Sequence, residues 1–226
     1  MKIAQITAQW LFILCLPVLL LTASVSLAKN SLWLYHYGFE KYGVSQTTGL
    51  TIAELDKAAK GLIDYFNSGE ESVDVIVIKD GSPFTLFNER EVAHLRDVKS
   101  LFRLVNGVML GTLVYAAVFA GLSLFWWRDR RLGRGLFVGG ILTLALVAAL
   151  GIAMALDFDR FFLQFHLLSF ANDFWMLDPA TDYLIMLFPQ GFWFDAALFC
   201  ALAAAVGALI PGGLGFWLKR WRGETK

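Results

Sequence analysis

Apolar residues crowd into four runs, 8–28, 104–127, 135–156 and 194–218, each long enough to cross about 30 Å of hydrocarbon as a helix. Polar positions gather between them. The long interval 29–103 separates the first two runs, and a shorter one, 157–193, separates the last two. The intervals 128–134 and 219–226 are short and basic. This pattern predicts an α-helical integral membrane protein with four transmembrane helices and a small α+β extracytoplasmic cap.

Inside 29–103 the period changes. Thr51-Ile52-Ala53-Glu54 has the form of a capping box, and Ile52, Leu55, Ala59, Leu62, Ile63 and Phe66 recur at helical spacing, with Gly69 as a stop signal. Residues 73–79 then read as a strand, Asp80-Gly81-Ser82 as a turn and 84–87 as the partner strand. Residues 33–42 are dense in aromatics, which suits a membrane surface. A second capping box, Asn88-Glu89-Arg90-Glu91, predicts a helix running on into the second span. Glu91, His94, Val98 and Leu101 share one face of it, with Asp97 on the flank.

The second outer segment is unusual. From 157 to 195 about a third of the residues are aromatic against 15% for the chain, so it cannot be a free loop and should dip into the interface or pack under the cap. It contains His166, followed by Asn172 and Asp173. Asp178-Pro179 reads as the cap and first residue of a short helix through Tyr183, ending before Pro189.

Composition agrees with a membrane protein: 58% of residues are hydrophobic and the mean hydropathy is +0.60. A net charge of zero gives no hint of nucleic-acid binding. Basic residues set the orientation. Arg128, Arg130, Arg131 and Arg134 crowd one short connection and Lys219, Arg220, Arg222 and Lys226 the tail, whereas the second outer segment holds Arg160 alone. Both termini are therefore expected in the cytoplasm and both large segments outside. Met1-Lys2, an apolar core and Ser26-Leu27-Ala28 also fit a signal peptide. The even count of four spans favours a retained helix.

Cys15 and Cys200 fall within spans, which removes a thiol nucleophile from the outer segments. There is no HExxH, no spaced Cys/His set, no GxSxG elbow and no P-loop, so neither a metal nor another cofactor is expected. The spans carry few ionisable residues, which argues against an ion-coupled transporter. What remains is a pair of histidines, His94 and His166, 72 residues apart and expected at the same membrane edge. Two imidazoles there point to acid/base chemistry on a lipid-like substrate. A carboxylate from Asp97 or Glu91 would fix the tautomer of His94 and raise its basicity, favouring it as the base. The residues also allow blander readings: a solvated amphipathic helix for His94, and for His166 an interfacial ring bonded to a backbone carbonyl. His36 reads as part of an aromatic belt.

Phe87-Asn88-Glu89-Arg90-Glu91, His94 and Asp97-Val98, then Phe165-His166, Phe170, Asn172, Trp175, Asp178-Pro179, Asp182-Tyr183-Leu184-Ile185 and Phe188-Pro189, form a pattern that resembles the bacterial lipoprotein intramolecular transacylase family. The resemblance implies an acyltransferase moving the sn-2 acyl chain of a diacylglyceryl lipoprotein onto the amino group of its N-terminal cysteine, giving a lyso-form lipoprotein. It implies His94 and His166 as catalytic, with Glu91, Asp97, Asn172 and Asp182 in support. Phe165, Phe170, Trp175 and Tyr183 would line the substrate pocket. The implied partners are diacylglyceryl-modified lipoproteins and membrane lipids, and the implied location is the bacterial cytoplasmic membrane with an extracytoplasmic site. Two other readings stand beside it: a non-enzymatic membrane subunit whose cap binds a protein or lipid, and a phospholipid acyltransferase or hydrolase.

Overall fold

The computed structural model describes residues 2–127 and 131–221. Of the basic residues that set the expected orientation, Arg128, Arg130, Arg222 and Lys226 lie outside them. In chain order the elements are α1 (Lys2–Lys29), α2 (Leu32–Lys41), α3 (Val44–Thr48), α4 (Ile52–Asn67), β1 (Ile76–Lys79), β2 (Ser82–Thr85), α5 (Glu89–Gly121), a π-helical turn (Leu122–Trp126), α6 (Arg131–Leu156), α7 (Phe158–Ser169), α8 (Tyr183–Leu187) and α9 (Gln190–Trp221). Among the described residues four helices are long and apolar enough to cross a membrane: α1, α5 with its π-helical turn, α6 and α9.

The chain divides into two compact units. The first comprises the described residues of Met1–Ser26, Val105–Leu156 and Leu198–Lys226. Lipid supplies no hydrophobic drive between helices, so they associate through close packing and small residues. Phe12 stacks on Phe119 at 4.5 Å between centroids, and the Tyr115 hydroxyl donates to the Ala8 carbonyl (2.9 Å). At Gly215 a Cβ would lie 2.5 Å from the Phe137 nitrogen and 2.6 Å from the Gly133 oxygen, so α9 meets α6 backbone to backbone there.

The second unit, Leu27–Leu104 with Asp157–Ala197, joins the two outer segments. Its core is the apolar stripe of α4 (Leu55, Ala58, Ala59, Leu62, Tyr65 and Phe66), buried together with Val77, Leu86, Leu95 and Leu187. Glu54 departs from the expected box. Thr51 accepts from the Glu54 nitrogen (3.3 Å), but the Glu54 carboxylate accepts from the Ile78 nitrogen (2.8 Å) and so ties α4 to β1. Ser68, not Gly69, closes α4: its hydroxyl and backbone N–H both turn back to the Tyr65 carbonyl.

The hairpin is antiparallel, with Lys79 opposite Ser82 and Ile76 opposite Thr85. Asp80 (φ 51°) and Gly81 (φ 77°) make a two-residue turn, the length that matches strand twist. Ser82 is therefore already paired, and β2 starts two residues before the expected 84–87. Pro83, which lacks an N–H, opposite Ile78, helps keep the ladder short. In the second outer segment the helix expected from Asp178 does not propagate. The Asp178 carbonyl accepts from Thr181 and Asp182 nitrogens and its side chain from the Ala180 nitrogen, closing one turn. Helix α8 begins only at Tyr183.

Candidate active site

The local sequence fixes each histidine before any tertiary contact does. His94 sits in the second turn of α5, whose start is a complete reciprocal capping box. The Asn88 side chain accepts from the Glu91 nitrogen (3.0 Å), and Glu91 Oε2 accepts from the Asn88 nitrogen (2.7 Å). His166 sits in the last turn of α7, which starts at Asp157, whose carboxylate accepts from the Arg160 nitrogen (2.9 Å).

Side-chain hydrogen bonds tie α5 to the second outer segment. Glu91 Oε1 accepts from the Leu184 nitrogen (2.6 Å) and thereby caps α8, whose own Asp182 makes no side-chain cap. Asp182, 7% exposed, instead takes the Asn88 amide (2.9 Å) on Oδ1 and the Asp178 nitrogen (2.7 Å) on Oδ2. Further along α5, the Asn172 amide donates to Asp97 Oδ2 (2.8 Å) while its Oδ1 accepts from the Phe174 nitrogen (3.1 Å).

Held this way, the two imidazoles stand 6.2 Å apart, centroid to centroid. Phe170 lies edge-on to His94 (5.0 Å) and also against His166 (5.6 Å). Phe162 (4.3 Å), Trp175 (4.9 Å) and Phe165 (5.3 Å) complete the aromatic wall around His166. His166 Nδ1 is 2.9 Å from the Phe162 carbonyl oxygen. A carbonyl only accepts, so Nδ1 carries the proton and Nε2 presents a lone pair. His94 Nδ1 is buried and has no hydrogen-bond partner among the described residues.

The expected pairing of His94 with a carboxylate is therefore corrected. Both Glu91 oxygens are spent on backbone N–H groups, and Asp97 Oδ2 is taken by Asn172. Both imidazoles lie outside the apolar span 104–127, yet both favour the neutral form. Burial comes first for His94, then the neighbouring His166; against a weaker opposing pull from Asp97, they lower it to about 4. Burial also lowers His166, the Phe162 carbonyl opposing it.

Beside the histidines runs an open groove of about 360 Å³, lined by Asp97, Ser100, Leu101, Leu104, Ser169, Phe170, Ala171 and Asn172. The candidate Tyr183 and the third histidine, His36, lie elsewhere in the unit. The Tyr183 ring packs at a tilt against Phe84 (5.2 Å between centroids), and its hydroxyl accepts a hydrogen bond from Lys79, against the hairpin. His36 bridges Asp56 (2.8 Å) and Glu40 (3.5 Å). Phe162 escaped the sequence reading, although it lies four residues before His166, one helical turn away on the same face.

The family described as lipoprotein intramolecular transacylase Lit matches residues 10–193 of the chain. The chain belongs to that family. As a lipoprotein intramolecular transacylase it is an acyltransferase, which answers the alternative of a non-enzymatic subunit. A solved structure of the membrane-integral lipoprotein intramolecular transacylase Lit from Bacillus cereus shares its fold at TM-score 0.87 and 22% identity, covering 100% of both chains. A structure of that protein with one histidine replaced by arginine aligns at TM-score 0.82 and 20% identity, covering 100% of this chain and 96% of the other. An uncharacterised protein of Aquifex aeolicus (strain VF5) is 28% identical over 166 residues, 72% of this chain and 69% of the relative.

Proposed function

We propose that this transacylase moves the sn-2 acyl chain of a diacylglyceryl lipoprotein to the α-amino group of the same molecule's N-terminal cysteine, leaving a lyso-form lipoprotein. The observation that carries the reading is the pair of neutral imidazoles with different hydrogen-bonding states. His166 offers a lone pair at Nε2 because the Phe162 carbonyl holds the proton on Nδ1. In His94 the orphaned Nδ1 is best read as a bare acceptor, since a buried N–H without a partner is the rarer defect. That leaves Nε2–H as a donor. We therefore assign His166 as base and His94 as donor to the oxyanion, the reverse of the order suggested by the carboxylates flanking His94.

The amine nitrogen attacks the sn-2 ester carbonyl carbon, forming the C–N bond, and its proton passes to His166 Nε2. Negative charge on the carbonyl oxygen meets the Nε2–H of His94. As the glyceryl C–O bond breaks, the leaving oxygen receives the proton back. Donor and acceptor share one molecule, so positioning supplies much of the acceleration and no acyl-enzyme is needed. The site faces the extracytoplasmic side, with both termini in the cytoplasm, by the distribution of basic residues.

The test is mass spectrometry of the N-terminal lipopeptide of a reporter lipoprotein, in a host that leaves diacylglyceryl lipoproteins with a free amine. Wild type should move one chain from glycerol to nitrogen at unchanged total mass. His94→Ala and His166→Ala should each lower transfer by roughly 10²–10⁴-fold while remaining inserted. Retained activity in both variants, or fatty-acid release from plain phosphatidylglycerol with an untouched lipopeptide, would overturn the reading.

A further inference from the structure

The groove beside the histidines is apolar along Leu101, Leu104, Phe170 and Ala171, and neutral at Ser100, Ser169 and Asn172. Asp97 is the one charged side chain among the described residues that line it. It lies one helical turn beyond His94, where i and i+3 side chains are neighbours. The Asn172 amide fixes one of its oxygens at 2.8 Å, and the other makes no hydrogen bond among the described residues. Asn172 is itself held by the Phe174 nitrogen, so the carboxylate is aimed and not free to wander. An oriented anion with an open oxygen, in an apolar groove beside two neutral imidazoles, calls for a cationic group on the ligand.

Resting on the transacylase reading above, we propose that Asp97 docks the substrate's α-ammonium group, holding the acceptor nitrogen in the groove beside the histidine pair. Near pH 7 an α-amino group, with an ordinary value of about 7.7–8.0, is largely charged. It is thus in a form that a carboxylate captures, and attack begins once the ammonium has released one proton to bulk water at the open groove. A substrate whose amine is already acylated carries no cation and loses this contact. Asp97 thereby separates the free-amine substrate from the finished, N-acylated product.

Asp97→Asn tests the idea cleanly, because its side-chain carbonyl still accepts the Asn172 hydrogen bond while the charge is gone. The probes are two synthetic diacylglyceryl lipopeptides with a non-transferable sn-2 ether, one with a free α-amine and one N-acetylated. Their binding is measured to protein in phosphatidylcholine nanodiscs. Wild type should prefer the free amine by about tenfold or more, the range of a hydrogen bond to a charged group. Asp97→Asn should reduce the preference to within about twofold, and Asp97→Glu should recover part of it. Equal binding of the two probes by wild type, or an undiminished preference in Asp97→Asn, overturns the inference. A parallel run with the ester lipopeptide separates the two levels: transfer by wild type without amine preference sinks only the role of Asp97, whereas absence of transfer sinks the transacylase reading and this inference with it.

Discussion

Glu91 is 1% exposed, and its two oxygens take the Asn88 nitrogen at 2.7 Å and the Leu184 nitrogen at 2.6 Å. One carboxylate thus begins two helices that are more than ninety residues apart in sequence. Replacement by alanine removes both bonds and strands the Leu184 N–H in a buried setting. Hydrogen bonds to charged groups contribute about 1.5–3 kcal/mol each, so Glu91→Ala should cost at least about 3 kcal/mol. At roughly 2–4 °C per kcal/mol for a chain of this size, the melting temperature should fall by about 6–12 °C. Glu91→Gln keeps one acceptor but turns an NH2 toward a backbone N–H, so it should fall between wild type and alanine. Thermal unfolding of the three proteins in one detergent, followed by intrinsic fluorescence, gives the ordering. A Glu91→Ala melting point within 1 or 2 °C of wild type (about half a kcal/mol on the same scale) would refute the claim that this carboxylate clasps the site.

Two further outcomes follow from charge. Because burial depresses His94 to about 4, its imidazole should remain neutral at pH 6, where an ordinary histidine (about 6.5) is mostly charged, and His166, also lowered by burial, should titrate below that ordinary value. Ring chemical shifts in selectively labelled protein would report this, and titration midpoints near 6.5 would contradict it. His36 should behave oppositely: the hydrogen bond it donates to Asp56 first, with the nearby charges of Asp56 and Glu40, raises it. A raised folded value means that its contribution is fully present below the ordinary histidine value and is lost as pH rises through the folded one. The melting-point advantage of wild type over Asp56→Asn should therefore shrink between pH 6 and pH 9; an advantage that grows with pH would reverse the assignment.

The elements legible in the sequence were those whose signal and partner lie within one helical turn. Asn88-Glu89-Arg90-Glu91 reads as a capping box and forms one, and the apolar spacing of α4 is buried where its period puts it. Residues that found distant partners were not legible. Glu54 has the spacing of a box but answers a strand nitrogen 24 residues on. Asp178 has the spacing of a cap, yet the helix waits for Tyr183 because Asp182 is held by Asn88 and by the Asp178 nitrogen. Asp97 shows the same limit within the site. Its position beside His94 suggests a carboxylate–imidazole pair, and only the folded chain brings Asn172 in as the competitor. The aromatic wall of Phe165, Phe170 and Trp175 was visible because a soluble loop has no use for such residues, whereas Tyr183, drawn from the same segment, went to the hairpin.

The bond between His166 and the carbonyl of Phe162 has an evolutionary consequence. In many acid/base sites the base is tuned by a second side chain, and losing that residue disables the first. Here the tuning group is main chain, one turn back in the same helix, and every amino acid at position 162 supplies it. Under the proposed assignment of His166 as base, substitution at 162 leaves this hydrogen bond in place provided the last turn of α7 stays helical, although it removes the Phe162 ring whose centroid lies 4.3 Å from that of the imidazole. Comparison among distant relatives would then show an isolated invariant histidine with no companion carboxylate, easily taken for a structural residue. The informative mutation at 162 is not alanine but a change that unwinds the turn, since only that removes the partner.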